Sequence, residues 1–285
     1  MAQQIVYSVF VFCFGAAIGS FLNVVVYRLP RGKSLIWPPS HCPHCQHELS
    51  MARDNIPIVG WFVVGGKCRY CGEPIPFRYS VVEFLTAAFV LASYWYLVWH
   101  KGHTVGHYVV WTGLALAIVA AGLIDLRYYI IPDVITKVGM WTAPVVSLLV
   151  PTIHWSLGWP KGHVHVQAFM SSLVGLAAGA GFVYLVGVVG KVIFGRDAMG
   201  FGDVKFVGMI GGFLGWQAII WTFIIGSILG LASVVVGFTR PDRGELPFAP
   251  WLGLGAIAFM IWREPLVGML EQFGGAFRWV LFSTD

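Results

Sequence analysis

Two aspartates stand at the edges of apolar segments, where an ionisable side chain is costly and usually marks function. Asp125 ends one apolar run, and Asp203 begins another run 78 residues later. Two carboxyl groups that share a site cannot both ionise easily, so one keeps its proton while the other acts as a base. Such a pair suits peptide hydrolysis, because the base draws a proton from water while the acid polarises the carbonyl. The sequence therefore predicts a catalytic pair at Asp125 and Asp203.

Small residues surround the second aspartate in the stretch Gly200-Phe201-Gly202-Asp203-Val204-Lys205. Because Gly200 and Gly202 carry no side chain, a substrate backbone could approach the carboxylate and pair with exposed peptide groups. We expect Gly200, Gly202 and Lys205 to support the site, without assigning a role to the lysine.

Simpler roles are open for each acidic residue. Asp203 could cap a helix, since Asp is favoured at that position. Asp125 could form an ion pair with Arg127 or Lys137 at the membrane interface. Asp133 is expected to cap the helix that it precedes.

Two CxxC pairs form a second candidate centre, with 22 residues between Cys45 and Cys68. Four thiolates from paired turns, Cys42, Cys45, Cys68 and Cys71, give the tetrahedral set that structural zinc prefers. Two disulfides or unpaired thiols are the alternatives, and a cytoplasmic location argues against the disulfides because it would keep the thiols reduced. A closed four-cysteine site has no open coordination position, so we expect the Zn²⁺ to fold this segment and not to catalyse.

Other residues near the cysteines have simpler expected roles. The three histidines beside the first pair, His41, His44 and His47, are alternative metal ligands, but solvent-facing positions are expected for them. Cys13 is expected to be a small buried side chain in the first helix.

The elements that position these residues must lie in a membrane. Hydrophobic residues make up 58% of the chain, charged residues 11%, and the mean hydropathy is +0.76. A soluble domain carries about a quarter charged residues. The first uncharged apolar run extends over 23 residues, from Ile5 to Tyr27, which is long enough to span the hydrocarbon core and to be a retained span. The predicted class is an all-α polytopic membrane protein with a small cytoplasmic zinc-binding loop domain.

Further apolar runs predict the other helices, at residues 81–99, 108–125, 134–153, 167–190, 206–238 and 247–270. The run 206–238 is too long for one ordinary span, and a bend at Gly215, Trp216 and Gln217 would divide it. This division gives about eight transmembrane helices, and seven spans with one long tilted helix is the alternative.

The distribution of Lys and Arg predicts the orientation. With residues 28–80 in the cytoplasm and eight alternating spans, 14 of the 18 Lys and Arg residues face the cytoplasm. The positive-inside rule favours this arrangement, which places Asp125 and Asp203 at the cytoplasmic face and both termini on the other side. Seven spans give the same division, so the charges leave the span count open.

Taken together, these residues resemble the type IV prepilin peptidase family over nearly the whole chain. The first motifs are Gly19-Ser20-Phe21-Leu22-Asn23-Val24-Val25, Arg28-Leu29-Pro30, the four cysteines with Asn55-Ile56-Pro57 and Trp61 between them, and Arg78-Tyr79 with Glu83. The later motifs are Ile124-Asp125, Ile131-Pro132-Asp133, the stretch 200–205 and Pro247-Phe248-Ala249-Pro250.

The resemblance implies a bifunctional GxGD-type aspartyl protease and N-methyltransferase in the inner membrane, with Asp125 and Asp203 as its catalytic pair. It implies prepilins and pseudopilins of type IV pili and type II secretion as substrates. Their basic leader ends in Gly and is cleaved on the cytoplasmic side. Members with the cysteine-bearing loop also methylate the new N-terminal amine from S-adenosylmethionine. The expected partners are these substrates and membrane lipid, and no nucleic acid is expected.

The methyl-donor site is left unassigned, because no glycine-rich S-adenosylmethionine fingerprint is visible. Glu83 is a candidate, although an ion pair with Arg78 is favoured for it. The chain departs from the family pattern at Gly60, where Ser is expected, and at Ser80, where Pro is expected. Both departures fall in the segment associated with methylation.

The predicted organisation has three parts: the first transmembrane helix (1–27), the cytoplasmic zinc-binding segment linked to N-methylation (28–80) and the transmembrane peptidase domain (81–285). A presenilin-like intramembrane protease is one alternative, but it would not explain the four cysteines. A membrane transporter or metal-responsive scaffold is the other, and it would need acidic residues deep within the spans.

Overall fold

Helices make up most of the protein in the computed structural model. The structure describes the backbone of residues 2–50, 53–154, 163–195, 199–238 and 246–282, and the side chains of these ranges except 2 and 273–282. No β-strand forms within these ranges, where the two isolated β-bridges join His41 to Glu48 and Lys67 to Pro74. The predicted all-α class is confirmed.

The chain divides into two compact units, residues 1–112 and 113–285. The helices that begin in the first unit are α1 (Ala2–Arg28), α2 (Val59–Val63), α3 (Arg78–Tyr94) and α4 (Val105–Tyr128), and α3 continues as a π-helical segment, Trp95–His100. α1 packs closely on α3, since a Cβ at Gly19 would lie 2.7 Å from the Cα of Glu83. Small residues allow membrane helices to approach in this way.

The second unit surrounds a short central helix that carries Asp203. Its further helices are α5 (Asp133–Leu149), α6 (Val164–Phe194), α7 (Phe201–Leu214), α8 (Trp216–Val235), α9 (Ala249–Ile261) and α10 (Arg263–Phe282). All residues of α7 from Phe206 to Leu214 are buried. α6 packs on α7 backbone to backbone at Gly175 and Gly211, where neither position has room for a Cβ. This packing fixes the position of α7 along α6 and therefore the position of Asp203.

Gly215 divides α7 from α8, as the sequence predicted, and its φ of 85° is one that residues with side chains rarely adopt. The predicted eight spans are not confirmed. In the described part of the chain, five helices are long and apolar enough to cross a membrane, or six if α9 and α10 count as one bent span. α5 and α7 have only 17 and 14 residues, fewer than the roughly 20 that a span needs.

Two expectations from the sequence are wrong in detail. The apolar run 247–270 is not one straight span, because α9 and α10 meet at an angle of 90° on either side of Trp262. Cys13 is exposed on the surface of α1 and not buried, since α1 packs on its neighbours with only part of its circumference. The three-part functional organisation, 1–27, 28–80 and 81–285, stays a prediction.

Candidate active site and cysteine centre

Asp125 lies in the last turn of α4 and is buried, with 6% of its surface exposed. Its Oδ2 accepts a hydrogen bond of 3.0 Å from the backbone N–H of Ala249, the first residue of α9. Asp125 thus satisfies one of the donors that every helix N-terminus leaves unpaired. The approach is close here, because a Cβ at Gly122 would lie 3.2 Å from the Cα of Pro250.

The ion pairs considered for Asp125 are not formed by the described residues. The guanidinium of Arg127 lies over the ring of Tyr128, 5.7 Å from its centroid. Lys137 pairs with Asp133 at 2.7 Å. Asp125 is therefore bound by backbone and not by a neighbouring cation.

Asp203 is the third residue of α7 and is half-buried. Its Oδ2 accepts a hydrogen bond of 3.2 Å from the backbone N–H of Gly200, the residue that precedes the helix. This bond is the reciprocal half of a capping box, in which the third side chain of a helix reaches back to the cap residue. Gly200 therefore holds the cap position that was considered for Asp203, and Asp203 supports the cap from the third helical position with one carboxyl oxygen.

The fold brings the carboxyl groups of Asp125 and Asp203 close enough for their negative charges to repel each other. In each of them Oδ2 holds a backbone N–H at the start of a helix. The other oxygen of each carboxyl group accepts no hydrogen bond from the residues that the structure describes. Each carboxyl group of the pair is thus anchored through one of its two oxygens.

The sequence predicted Asp133 as the cap of α5, and this prediction is wrong. The cap position is held by Pro132 in extended conformation, and Asp133 is the first helical residue. Its carboxylate pairs with Lys137 on α5 and with Lys205 on α7. A negative charge in the first turn is also favoured by the helix dipole.

The four predicted zinc ligands form one cluster, in which the sulfurs of Cys42, Cys45, Cys68 and Cys71 all lie within 4.8 Å of one another. The Sγ atoms of Cys42 and Cys71 are 3.8 Å apart, as are those of Cys45 and Cys68. Sulfurs bound at about 2.3 Å around a tetrahedral centre lie about 3.8 Å apart. The donor set therefore fits zinc, and disulfide bonds, which need about 2.05 Å, are absent from this cluster.

The two CxxC turns have the same backbone pattern. The N–H of Gln46 bonds to the carbonyl of Cys42, and the N–H of Gly72 bonds to the carbonyl of Cys68. Both donor residues have positive φ, 58° and 72°. Hydrogen bonds from the backbone of Cys71, then of Tyr70, lower the pKa of the Cys68 thiol. A hydrogen bond from the backbone of Glu73 acts in the same direction on the Cys71 thiol, but burial and the neighbouring thiols outweigh it and raise the pKa of that thiol. Backbone donors directed at a sulfur favour the thiolate, which is the form that binds metal.

The neighbouring histidines are outside this cluster. The His47 ring packs on Tyr70 with centroids 3.4 Å apart, and His44 lies 3.8 Å from the carboxylate of Glu73. His41 contacts the carbonyl of Pro39. Within residues 40–75, leaving aside 51 and 52, the compact ligand set consists of the four cysteines.

Glu83 has a partner that the sequence did not predict. It is buried, and its Oε2 accepts a 2.6 Å hydrogen bond from the backbone N–H of Ile58. No ion pair with Arg78 forms among the described side chains, and the guanidinium of Arg78 lies over the ring of Tyr79 instead. The favoured ion pair is therefore wrong, and Glu83 joins α3 to the segment before α2.

The sequence of this chain matches known proteins over both units. A bacterial Peptidase A24 N-terminal domain matches residues 13–97, and the type IV leader peptidase family matches residues 112–235. A prepilin leader peptidase/N-methyltransferase of Dickeya chrysanthemi is 32% identical over 276 residues, which cover 87% of this chain and 90% of the relative. This chain belongs to the type IV leader peptidase family. Its membership sets aside the presenilin-like and transporter alternatives.

Two further relatives in the type IV leader peptidase family have similar coverage. A type 4 prepilin-like proteins leader peptide-processing enzyme of Escherichia coli O78:H11 is 34% identical, over 86% of this chain and 90% of the relative. A prepilin leader peptidase/N-methyltransferase of Pseudomonas aeruginosa is 30% identical, over 93% and 95%. No solved structure matches the chain.

Proposed function

We propose that this chain is a bifunctional prepilin leader peptidase and N-methyltransferase. It removes the basic leader from type IV prepilins and pseudopilins and then methylates the new N-terminal residue. The observation that carries the proposal is the proximity of the Asp125 and Asp203 carboxyl groups, each held through Oδ2 by a backbone N–H. The names of the relatives, which include both activities, support it.

The pair performs peptide hydrolysis with one shared proton. The ionised carboxylate takes a proton from water, and the resulting hydroxide attacks the scissile carbonyl carbon. The protonated carboxyl group hydrogen-bonds the carbonyl oxygen while it gains negative charge. The tetrahedral intermediate then collapses, the C–N bond breaks and the leaving amine accepts a proton. The two groups titrate as one unit, so acid and base are properties of the pair.

Cys42, Cys45, Cys68 and Cys71 hold a structural zinc ion in this proposal. The sulfur spacing of 3.8 Å within two opposite pairs supports four-thiolate coordination. Zinc supplies folding free energy here, because a segment of this size builds little core of its own. The described residues between α1 and α3 form just α2 and a 3₁₀ turn, Leu29–Arg31. The zinc takes no part in proteolysis.

The enzyme acts in the inner membrane, and cleavage takes place at its cytoplasmic face. The excess of Lys and Arg in the loops that flank Asp125 and Asp203 supports this orientation, with both termini on the opposite side. S-adenosylmethionine is the methyl donor. Membrane lipid surrounds the peptidase unit, and the hydrophobic helix of the substrate lies beside it.

Mass spectrometry of a co-expressed prepilin tests both activities at once. The full-length enzyme should yield a pilin that begins directly after the leader Gly and carries one added methyl group on its N-terminal amine. An intact leader on all prepilins and pseudopilins tested, with the enzyme folded in the membrane, would contradict the peptidase assignment. A cleaved but unmethylated N-terminus would contradict the methyltransferase assignment alone.

A further inference from the structure

An ion pair joins the two segments that carry the aspartates. The Nζ of Lys205 contacts Oδ1 of Asp133, 72 residues earlier in the chain. Lys205 follows Asp203 by two residues on α7. Asp133 begins α5 and follows Asp125 across a four-residue connection, 129–132.

A second contact involves Gly202, the residue that precedes Asp203. A Cβ at Gly202 would lie 3.3 Å from the Cβ of Ile131, so Ile131 covers this glycine directly. The connection that carries Ile131 is also tied to α4, because the N–H of Tyr129 bonds to the carbonyl of Asp125 at 2.9 Å. Residues 129–133 therefore contact the chain beside both aspartates.

The position of Lys205 is unfavourable unless it has a defined partner. It lies in the first half of α7, near the helix N-terminus, where the helix dipole disfavours a cation. Its side chain is only 17% exposed. The carboxylate of Asp133 and the ring of Phe201, 5.0 Å from Nζ, provide the compensation. The constrained side chain of Lys205 therefore links α7 to the start of α5.

We propose that Lys205 is a positioning residue of the peptidase. Through Asp133 it holds the start of α7 against the 129–133 segment, and this fixes the separation of the Asp125 and Asp203 carboxyl groups. The inference rests on the proposed function, since it concerns the geometry of the same pair. A misplacement of about 1 Å at reacting groups costs about 100-fold in rate.

Lys137 provides a matched control. It pairs with the same carboxylate as Lys205, at 2.7 Å, but it lies four residues further along α5 and is 59% exposed. Loss of Lys137 removes a cation from Asp133 without separating two elements. Comparing the two variants therefore separates the effect of losing a positive charge beside Asp133 from the effect of losing the link between α5 and α7.

The test measures leader cleavage in vitro by full-length enzyme with a purified prepilin, with rates normalised to folded protein. For Lys205→Met we expect kcat to fall about 10- to 100-fold while KM stays within about twofold. For Lys137→Met both constants should stay within about twofold of wild type. Lys205→Arg keeps a cation and should recover most of the kcat that Lys205→Met loses.

The double variant Asp133→Asn with Lys205→Met completes the experiment. Because the two residues act through one contact, we expect its kcat to be no lower than that of the worse single variant. Multiplicative losses in the double variant, or equal kcat in Lys205→Met and Lys137→Met, would overturn the positioning role. Either result with normal wild-type cleavage leaves the peptidase assignment intact, whereas absence of wild-type cleavage contradicts that assignment itself.

Discussion

Asp125 accepts a hydrogen bond from the backbone N–H of Ala249, a residue 124 positions further along the chain. The bond places a buried carboxylate at the N-terminus of α9, where unpaired backbone donors and the helix dipole favour it. Asp203 has the equivalent arrangement with Gly200 at the start of α7. Both members of the pair are therefore oriented by backbone groups, and a change in either helix start alters the geometry of the pair.

Zinc content gives the first prediction. Replacing Cys68 with Ser should remove bound zinc and reduce N-methylation at least as much as cleavage, because one of the four thiolates is lost. Metal analysis of the purified enzyme measures this directly. Cys13→Ser is the matched control, since Cys13 lies on the surface of α1, away from the cluster, and should leave zinc unchanged. Wild-type enzyme purified without zinc would contradict the metal assignment.

The contact of α6 with α7 gives the second prediction. Gly175→Ala places a methyl group against the carbonyl oxygen of Gly211, and neither backbone can give way easily. We expect a loss of about 1–3 kcal/mol in stability, measured as thermal unfolding in detergent. Gly181→Ala on the same helix meets no described atom within 4 Å and should be neutral or slightly stabilising. Equal unfolding temperatures for the two variants would show that the contact is not tight.

The hydrogen bond between Glu83 and Ile58 gives the third prediction. In Glu83→Gln the buried acceptor loses its charge, and the contact that joins α3 to the segment before α2 weakens by about 1–3 kcal/mol. Amide hydrogen exchange at residues 56–64 should become faster. Glu73→Gln, at an exposed position, should change exchange there little. Unchanged exchange rates at these residues in Glu83→Gln would show that the hydrogen bond does not stabilise the segment.

Local patterns predicted the elements and the cysteine centre. The apolar runs identified the helices, and Gly215 marked the break between α7 and α8, because composition and backbone freedom are properties of a few adjacent residues. The CxxC spacing predicted the four-sulfur cluster for the same reason. The continuous apolar pattern from 247 to 270 did not reveal the 90° bend at Trp262, since both helices have apolar faces.

The partners of the acidic residues could not be predicted from local pattern. The bonds of Asp125 with Ala249 and of Asp133 with Lys205 join positions far apart in the chain. Charge and spacing suggested nearer partners, such as Arg127 for Asp125. The motifs Pro247–Pro250 and Ile131–Asp133 carried a signal through their resemblance to a family, but only the structure assigns each of them a contact.

The proposed peptidase activity depends most on the two aspartates acting as one catalytic unit. Its most direct test is the cleavage rate of a purified prepilin by wild-type enzyme and by Asp125→Asn and Asp203→Asn, each folded and inserted in lipid. Both substitutions keep the size of the side chain but remove the shared proton. We expect each to lower cleavage by about 10³-fold or more. Cleavage by Asp203→Asn at the wild-type rate would contradict the central claim.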